Sequence, residues 1–332
     1  MLKIDRDKIL SEIEVRKPKN VMLISPDGLQ NDVQKIAHEI EEKLKVKALI
    51  SGEACYGSCD LKEDSASQLK IDLIFHIGHT IKVDHAGKFT VFVDAFDDIK
   101  FDTVIKKTNN LLEKKNKIGI CTTSQHLPQI VNVKQRLERL GFNVLVGEGG
   151  KLVSGQVFGC EFQSVYNIKD EVDVFLFLGQ SRFHSIGVAL STGKPTYMLD
   201  PYLEELIYIN KLADSFWKKA VLSIYKARDV DNFGIIIGLR EGQRKIHQAL
   251  KIKRELEKFG KNASLLVLRD ITPDRVNSIA GFEAFIQTAC PRISIDGLQF
   301  KQPMLSIPQV KAMFKIFEGK EINNFLIKNN WF

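Results

Sequence analysis

Short apolar runs alternate along the chain with stretches of helical period, the pattern of strand–helix–strand units built on parallel sheets. A first pass opens with Asn20–Ser25 (NVMLIS) and stops at the turn signal Pro26-Asp27-Gly28. Ile36, Ile40 and Leu44 then recur at helical spacing, followed by strands predicted at Lys47–Ser51, Leu73–Gly78 and Phe89–Val93. A second pass predicts strands at Lys117–Thr122, Asn143–Val146, Val174–Gly179 and Pro195–Leu199, with a helix over Gln129–Leu140. The third runs through Phe233–Leu239, a helix at Gln243–Lys258, Ala263–Leu268 and Phe282–Thr288. Segments 101–116 and 206–230 are charged and of helical period, and read as connectors. The expected fold class is α/β: small, pseudo-symmetric, parallel-sheet (Rossmann-like) domains at 1–100, 101–205 and 206–332.

A length of 332 residues suits several such domains, and 44% hydrophobic with 27% charged residues is ordinary globular composition. No run approaches the ~18 apolar residues of a membrane span. The N-terminus, Met1-Leu2-Lys3-Ile4-Asp5-Arg6-Asp7, mixes charges and lacks an apolar signal core, so a cytoplasmic protein is expected. The net charge of +7 is spread along the chain, which fits a solvated Lys-rich surface or an acidic macromolecular partner; direct nucleic-acid binding is not expected.

The five cysteines are an odd number, which argues against a disulfide framework and leaves metal ligands or buried thiols. Cys121 lies within an apolar strand and reads as a buried, inert thiol. Cys55 and Cys59 form C-x3-C in the small-residue loop GEACYGSCDL, with no third cysteine close behind. Cys160 lies in GQVFGC and Cys290 in TACPR. Cys59 and Cys160 follow the second strand of their units and Cys290 the third, all in loops just past strand C-termini, where open α/β sheets hold ligands. Their separations match no zinc ribbon or ferredoxin, so spacing alone leaves ligand and buried thiol both open.

Gly179–Gly187 (GQSRFHSIG) follows an apolar strand and opens a helix whose first N–H groups could meet a carboxylate or phosphate. Gly179 would allow close backbone approach, and His184 is a candidate ligand, acid–base group or structural histidine. His76 and His79 (FHIGH) hold the matching place in the first unit. Arg292 is either an anion clamp or a surface residue. The chain has no G-x-x-x-x-G-K-[ST] loop, G-x-S-x-G elbow or H-E-x-x-H pair.

At these residues the sequence resembles the diphthamide synthesis family, specifically the archaeal 2-(3-amino-3-carboxypropyl)histidine synthases. GEACYGSCD, GQVFGC, GQSRFHSIGVALSTGKPTYMLDP and TACPRISID with the following KQPM carry the resemblance, in order, over nearly the whole chain. It implies three α/β domains around a [4Fe-4S] cluster held by Cys59 (the cysteine of Y-G-x-C, rather than Cys55), Cys160 and Cys290. Three ligands leave one iron open, as a catalytic metal site requires. The implied co-substrate is S-adenosylmethionine, cleaved between sulfur and Cγ to release methylthioadenosine. The 3-amino-3-carboxypropyl radical then adds to C2 of a histidine on translation elongation factor 2. Gly179, His184 and Arg292 are the implied cofactor contacts; a homodimer and an external electron donor complete the expectation.

Two departures stand out. GQSRFHSIG lacks the extra Gly after the first and the Pro after the His that are common in the family, and Asp296-Gly297 stands where two acidic residues are usual. Two rivals are a quinolinate synthase-like enzyme, which the Y-G-x-C and T-A-C-P-R contexts oppose, and a non-catalytic partner subunit, which retention of the three cysteines opposes.

Overall fold

The structure, a computed structural model, describes residues 2–79, 81, 87–295 and 299–322, so the Asp296-Gly297 departure lies outside the described residues. The chain begins with β1 (Lys3–Ile4) and α1 (Arg6–Arg16), whose first turn is capped by Asp5 accepting from the Lys8 N–H. Then come β2 (Asn20–Ile24), α2 (Gln30–Glu39), β3 (Lys47–Ile50), α3 (Glu63–Gln68), β4 (Leu73–Ile77), β5 (Thr90–Val93) and β6 (Ala95–Phe96). The first sheet is parallel in the order β3-β2-β4-β5, and β1 pairs antiparallel with β6. Central β4 is buried at every position, as a continuous apolar strand in a parallel sheet should be.

The next stretch holds α4 (Asp102–Leu111), β7 (Lys117–Thr122), α5 (Ile130–Arg139), β8 (Asn143–Leu145), α6 (Gln163–Tyr166), β9 (Val174–Leu178), α7 (Arg182–Thr192), β10 (Thr196–Asp200) and β11 (Glu205–Tyr208). Its sheet order is β11-β10-β9-β7-β8, with only β11 antiparallel. β11 corrects the sequence reading, which took 206–230 as helical; the expected 205/206 boundary falls inside this strand. The connecting turn carries no glycine. Instead Asp200 accepts from the N–H groups of Tyr202 (2.9 Å) and Leu203 (3.1 Å), and Glu204 takes φ +54.

The last stretch contains α8 (Asn210–Arg228), β12 (Asn232–Gly238), α9 (Ile246–Lys258), β13 (Asn262–Leu268), α10 (Pro273–Asn277), β14 (Ala284–Gln287), α11 (Pro291–Ile295), β15 (Met304–Leu305) and α12 (Ile307–Phe317). Its sheet is parallel in the order β13-β12-β14-β15. Each sheet thus places its second strand outside its first, with the third and fourth on the other side. The order reverses between first and third strands, which opens a crevice at their C-terminal ends.

The cores are unequal partners. One apolar cluster runs from Phe175 and Phe177 through Ile224 on α8 to Phe233, Ile235 and Met313, so the second and third sheets share a core. The first sheet closes its own core around Ile9, Leu23, Phe75 and Val93, and among the described residues no apolar cluster joins it to the others.

The loop after β8 is packed without slack: a Cβ on Gly147 would lie 1.9 Å from the Ser164 carbonyl oxygen. Gly147→Ala is therefore expected to cost roughly 3 kcal/mol in urea unfolding, since backbone must move. Gly28, where a Cβ would meet nothing within 4 Å, should tolerate Ala with a change inside about 0.5 kcal/mol.

Candidate metal centre

The crevices of the first two sheets meet in one cavity of about 260 Å³, lined by Pro26, Gly28, Gly78, His79, Ser181 and His184 among others. Pro26 and Gly28 follow β2, Gly78 and His79 follow β4, and Ser181 and His184 follow β9. Gly78 (φ +83) and Gly179 (φ +123) occupy equivalent places, and a side chain at either would press on the segment following the first strand. A Cβ would come 3.2 Å from Leu29 Cδ1 at Gly78 and 2.9 Å from His126 Cδ2 at Gly179.

Cys59, on the loop after β3, is gripped by the segment after β12. The Gly242 N–H bonds the Cys59 carbonyl at 2.9 Å, and the Gln243 side-chain amide donates to its Sγ at 3.4 Å. Cys290 lies after β14 in a loop tied by Gln287, which accepts from the Cys290 N–H (2.9 Å) and donates to its carbonyl (2.7 Å). Cys160 lies past β8, where the chain returns to β7 through the Thr122–Gln156 bridge. The three thiols feel one another. Burial first, then the nearby Cys290 thiol, pushes Cys59 up to about 11. Burial of its thiol, then Cys290 and Cys59, pushes Cys160 up to about 12, although the residue as a whole is exposed. The three cysteines that the sequence singled out thus lie within electrostatic reach of one another. Three thiolates at such a place repel one another unless a cationic group stands among them, and a soft all-sulfur donor set suits iron–sulfur ligation. Cys121 stays apart, fully buried in β7, its thiol pushed strongly up by burial.

Of the expected cofactor contacts only His184 lines the cavity. Its Nδ1 lies 2.7 Å from Ser181 Oγ, and burial, then Arg292 and His79, lower it to about 3, so the ring is neutral at pH 7. Ser181 also caps α7, accepting from the His184 N–H at 3.4 Å, so part of the helix N-terminus is already satisfied. Gly179 bonds the Leu199 carbonyl through its own N–H at 2.9 Å. Arg292 is not the surface residue that was one sequence alternative: it is 4% exposed. It stacks 3.4 Å over the Phe183 ring and donates to the Phe183 carbonyl at 2.8 Å. A Cβ on Gly159 would lie 2.9 Å from the same ring, so Phe183 joins the Cys160 and Cys290 loops.

What the sequence reading missed is the fastening of the Cys59 loop. Asp60, 1% exposed, pairs with Arg240 (3.2 Å) and Lys62 (3.8 Å). Lys62 also reaches Glu53 at 2.7 Å, and Arg240 pairs with Asp270 and lies 4.1 Å over the Tyr56 ring. Glu241 accepts from the Leu61 N–H at 3.1 Å, and Arg244 pairs with Asp64. Burial pushes the Asp60 carboxyl up against the pull of Lys62 and Arg240. The only sequence signal was an acidic residue directly after a candidate ligand.

The family model for diphthamide synthesis proteins matches residues 25–324. The 2-(3-amino-3-carboxypropyl)histidine synthase of Pyrococcus horikoshii is 31% identical over 97% of this chain and 94% of its own length. Subunit 1 of the Schizosaccharomyces pombe synthase is 29% identical over 95% of this chain and 74% of its own. The crystal structure of Dph2 from P. horikoshii with a 4Fe-4S cluster superposes with a TM-score of 0.86 at 30% identity, covering 97% of this chain and 94% of that one.

Asp60→Asn removes one partner from a buried charge cluster and leaves two cations under-compensated. The expected loss is roughly 3 kcal/mol of stability by urea unfolding. A loss inside about 0.5 kcal/mol would show that the fastening contributes nothing beyond an ordinary surface pair.

Proposed function

This chain belongs to the diphthamide synthesis protein family, and on that premise we propose that it transfers the 3-amino-3-carboxypropyl group of S-adenosylmethionine to C2 of a histidine on translation elongation factor 2, the first step of diphthamide synthesis. What supports the reading is that Cys59, Cys160 and Cys290, on loops of three separate sheets, lie within electrostatic reach of one another. Those residues would hold a [4Fe-4S] cluster, with the Gln243 N–H directed at the Cys59 sulfur. When bound, the cluster supplies the electron for cleavage of the bond from sulfur to Cγ. With only these three cysteines as ligands, one iron of such a cluster would be left for a substrate group.

The chain's own residues bind and orient. The cavity at the first two crevices lies beside the Cys160 loop through Phe158, and its backbone turns and neutral His184 present dipoles rather than charge. A neutral ring suits a sulfonium, which an imidazolium would repel. The backbone around Gly179 supports this contact by fixing the entry to α7, and Arg292 supports it at one remove by holding Phe183. Position then selects among the sulfur–carbon bonds. The net charge of +7 suits docking on an acidic face of the elongation factor. The reading places the chain in the cytoplasm as a homodimer served by an external reductant, and among the described residues no helix is long and apolar enough to cross a membrane. The family match does not favour quinolinate synthesis.

The isolated, cluster-reconstituted protein, reduced anaerobically with dithionite and given S-adenosylmethionine, should yield methylthioadenosine and, with elongation factor 2 present, a labelled 3-amino-3-carboxypropyl group on the factor. Predominant 5′-deoxyadenosine would defeat the proposed bond selection. Activity only with a second, different subunit would support the partner-subunit alternative.

A further inference from the structure

Beside the candidate cluster site, and using none of its thiols, lies a second set of metal-binding side chains. Cys55 Sγ is 3.6 Å from His76 Nε2 and 3.6 Å from His79 Nδ1, and all three ligand atoms fall within 4.8 Å of one another. We propose that Cys55, His76 and His79 bind a mononuclear divalent ion of the zinc class, independently of the iron–sulfur cluster.

The distances carry the argument. A tetrahedral zinc ion with ordinary Zn–S and Zn–N bonds sets sulfur and nitrogen about 3.6 Å apart. The two observed sulfur–nitrogen separations therefore need no rearrangement to receive the ion. The alternative is a neutral hydrogen-bonded triad, in which the thiol donates to one ring and accepts from the N–H of the other, and metal binding tells the two apart. The setting also matters. His76 is 0% exposed in the middle of the first sheet, on a strand otherwise apolar, where an imidazole is costly unless something uses it. Its ring leans on Phe92 (5.3 Å) and His79 (5.8 Å), and His79 on Phe158 (6.4 Å), so both rings are held in place by packing. One sulfur and two nitrogens are the donors of catalytic and structural zinc alike, and they leave one tetrahedral position for water or another ligand.

The site would also explain how the long loop from Ser51 to Lys62 holds its course. Cys55 is anchored to β4 through His76, while Asp60 is anchored to the third sheet through Arg240, so Cys59 lies between two fixed points. The metal would act as a staple on the cluster-bearing loop, and the binding claim does not rest on the proposed reaction.

The test must separate this site from the three cluster thiols, which would themselves take zinc or cobalt. A variant carrying Cys59→Ser, Cys160→Ser and Cys290→Ser together, with its fold checked by circular dichroism, is titrated with Co²⁺ and Zn²⁺. Stoichiometric Co²⁺ binding with a sulfur-to-cobalt charge-transfer band and intense tetrahedral visible bands is expected. Cys55→Ala or His79→Ala in that background should abolish the charge-transfer band or weaken zinc retention by at least about tenfold, respectively. A folded triple variant that shows neither band nor retained zinc would overturn the proposal and leave the hydrogen-bonded triad. Unchanged binding after Cys55→Ala would do the same. Should the triple variant not fold, elemental analysis of the cluster-reconstituted protein decides: zinc present beside iron, and lost in Cys55→Ala, supports the site, whereas no zinc in the parent protein refutes it.

Discussion

On the proposed reading, three sulfurs carried by three sheets must reach one another, yet the first sheet shares no apolar core with the other two among the described residues. Its loop is held instead by charge: Asp60 against Arg240 and Lys62, with Glu241 receiving the Leu61 N–H. Burying such groups is costly, and the pairing repays that cost only while every partner is present. The arrangement trades adhesion for register. An apolar patch would tolerate sliding, whereas a buried ion cluster fixes one position, and a thiol that must meet two others needs that.

The same logic distributes the work among the loops. The shared strand order gives each sheet a crevice between its first and third strands. The first two crevices join in the cavity, while the third contributes Gln243 at one edge and Cys290 at the other. Phe183, packed against Gly159 and stacked under Arg292, links the remaining pair of loops. The Cys59 and Cys290 loops are thus each fixed by a residue from a different sheet, while the Cys160 loop packs on Phe183 of its own unit, so the site is a property of the assembly rather than of any one unit.

Much of this was legible in the sequence because parallel strands buried on both faces leave unbroken apolar runs. Lys117–Thr122 is read to the residue, and Asn20–Ser25 and Leu73–Gly78 to within one. The helix α1 was not read, since Ile9 and Ile13 are its only buried residues in an otherwise charged segment. β11 was missed because its turn relies on an Asp200 side chain instead of a glycine. The three cysteines stood out by position and by resemblance. Asp60 and Arg240 did not, being 180 residues apart and joined only by folding. Likewise FHIGH drew notice, but nothing along the chain tied it to Cys55.

The central claim is that one cysteine from each sheet is needed to hold a single cluster, and iron and sulfide analysis after anaerobic reconstitution tests it most directly. The parent protein and Cys121→Ala should each carry about four iron atoms per chain, whereas Cys59→Ala, Cys160→Ala and Cys290→Ala should each lose most of that content. Full iron and sulfide in any one of those three variants would contradict the account.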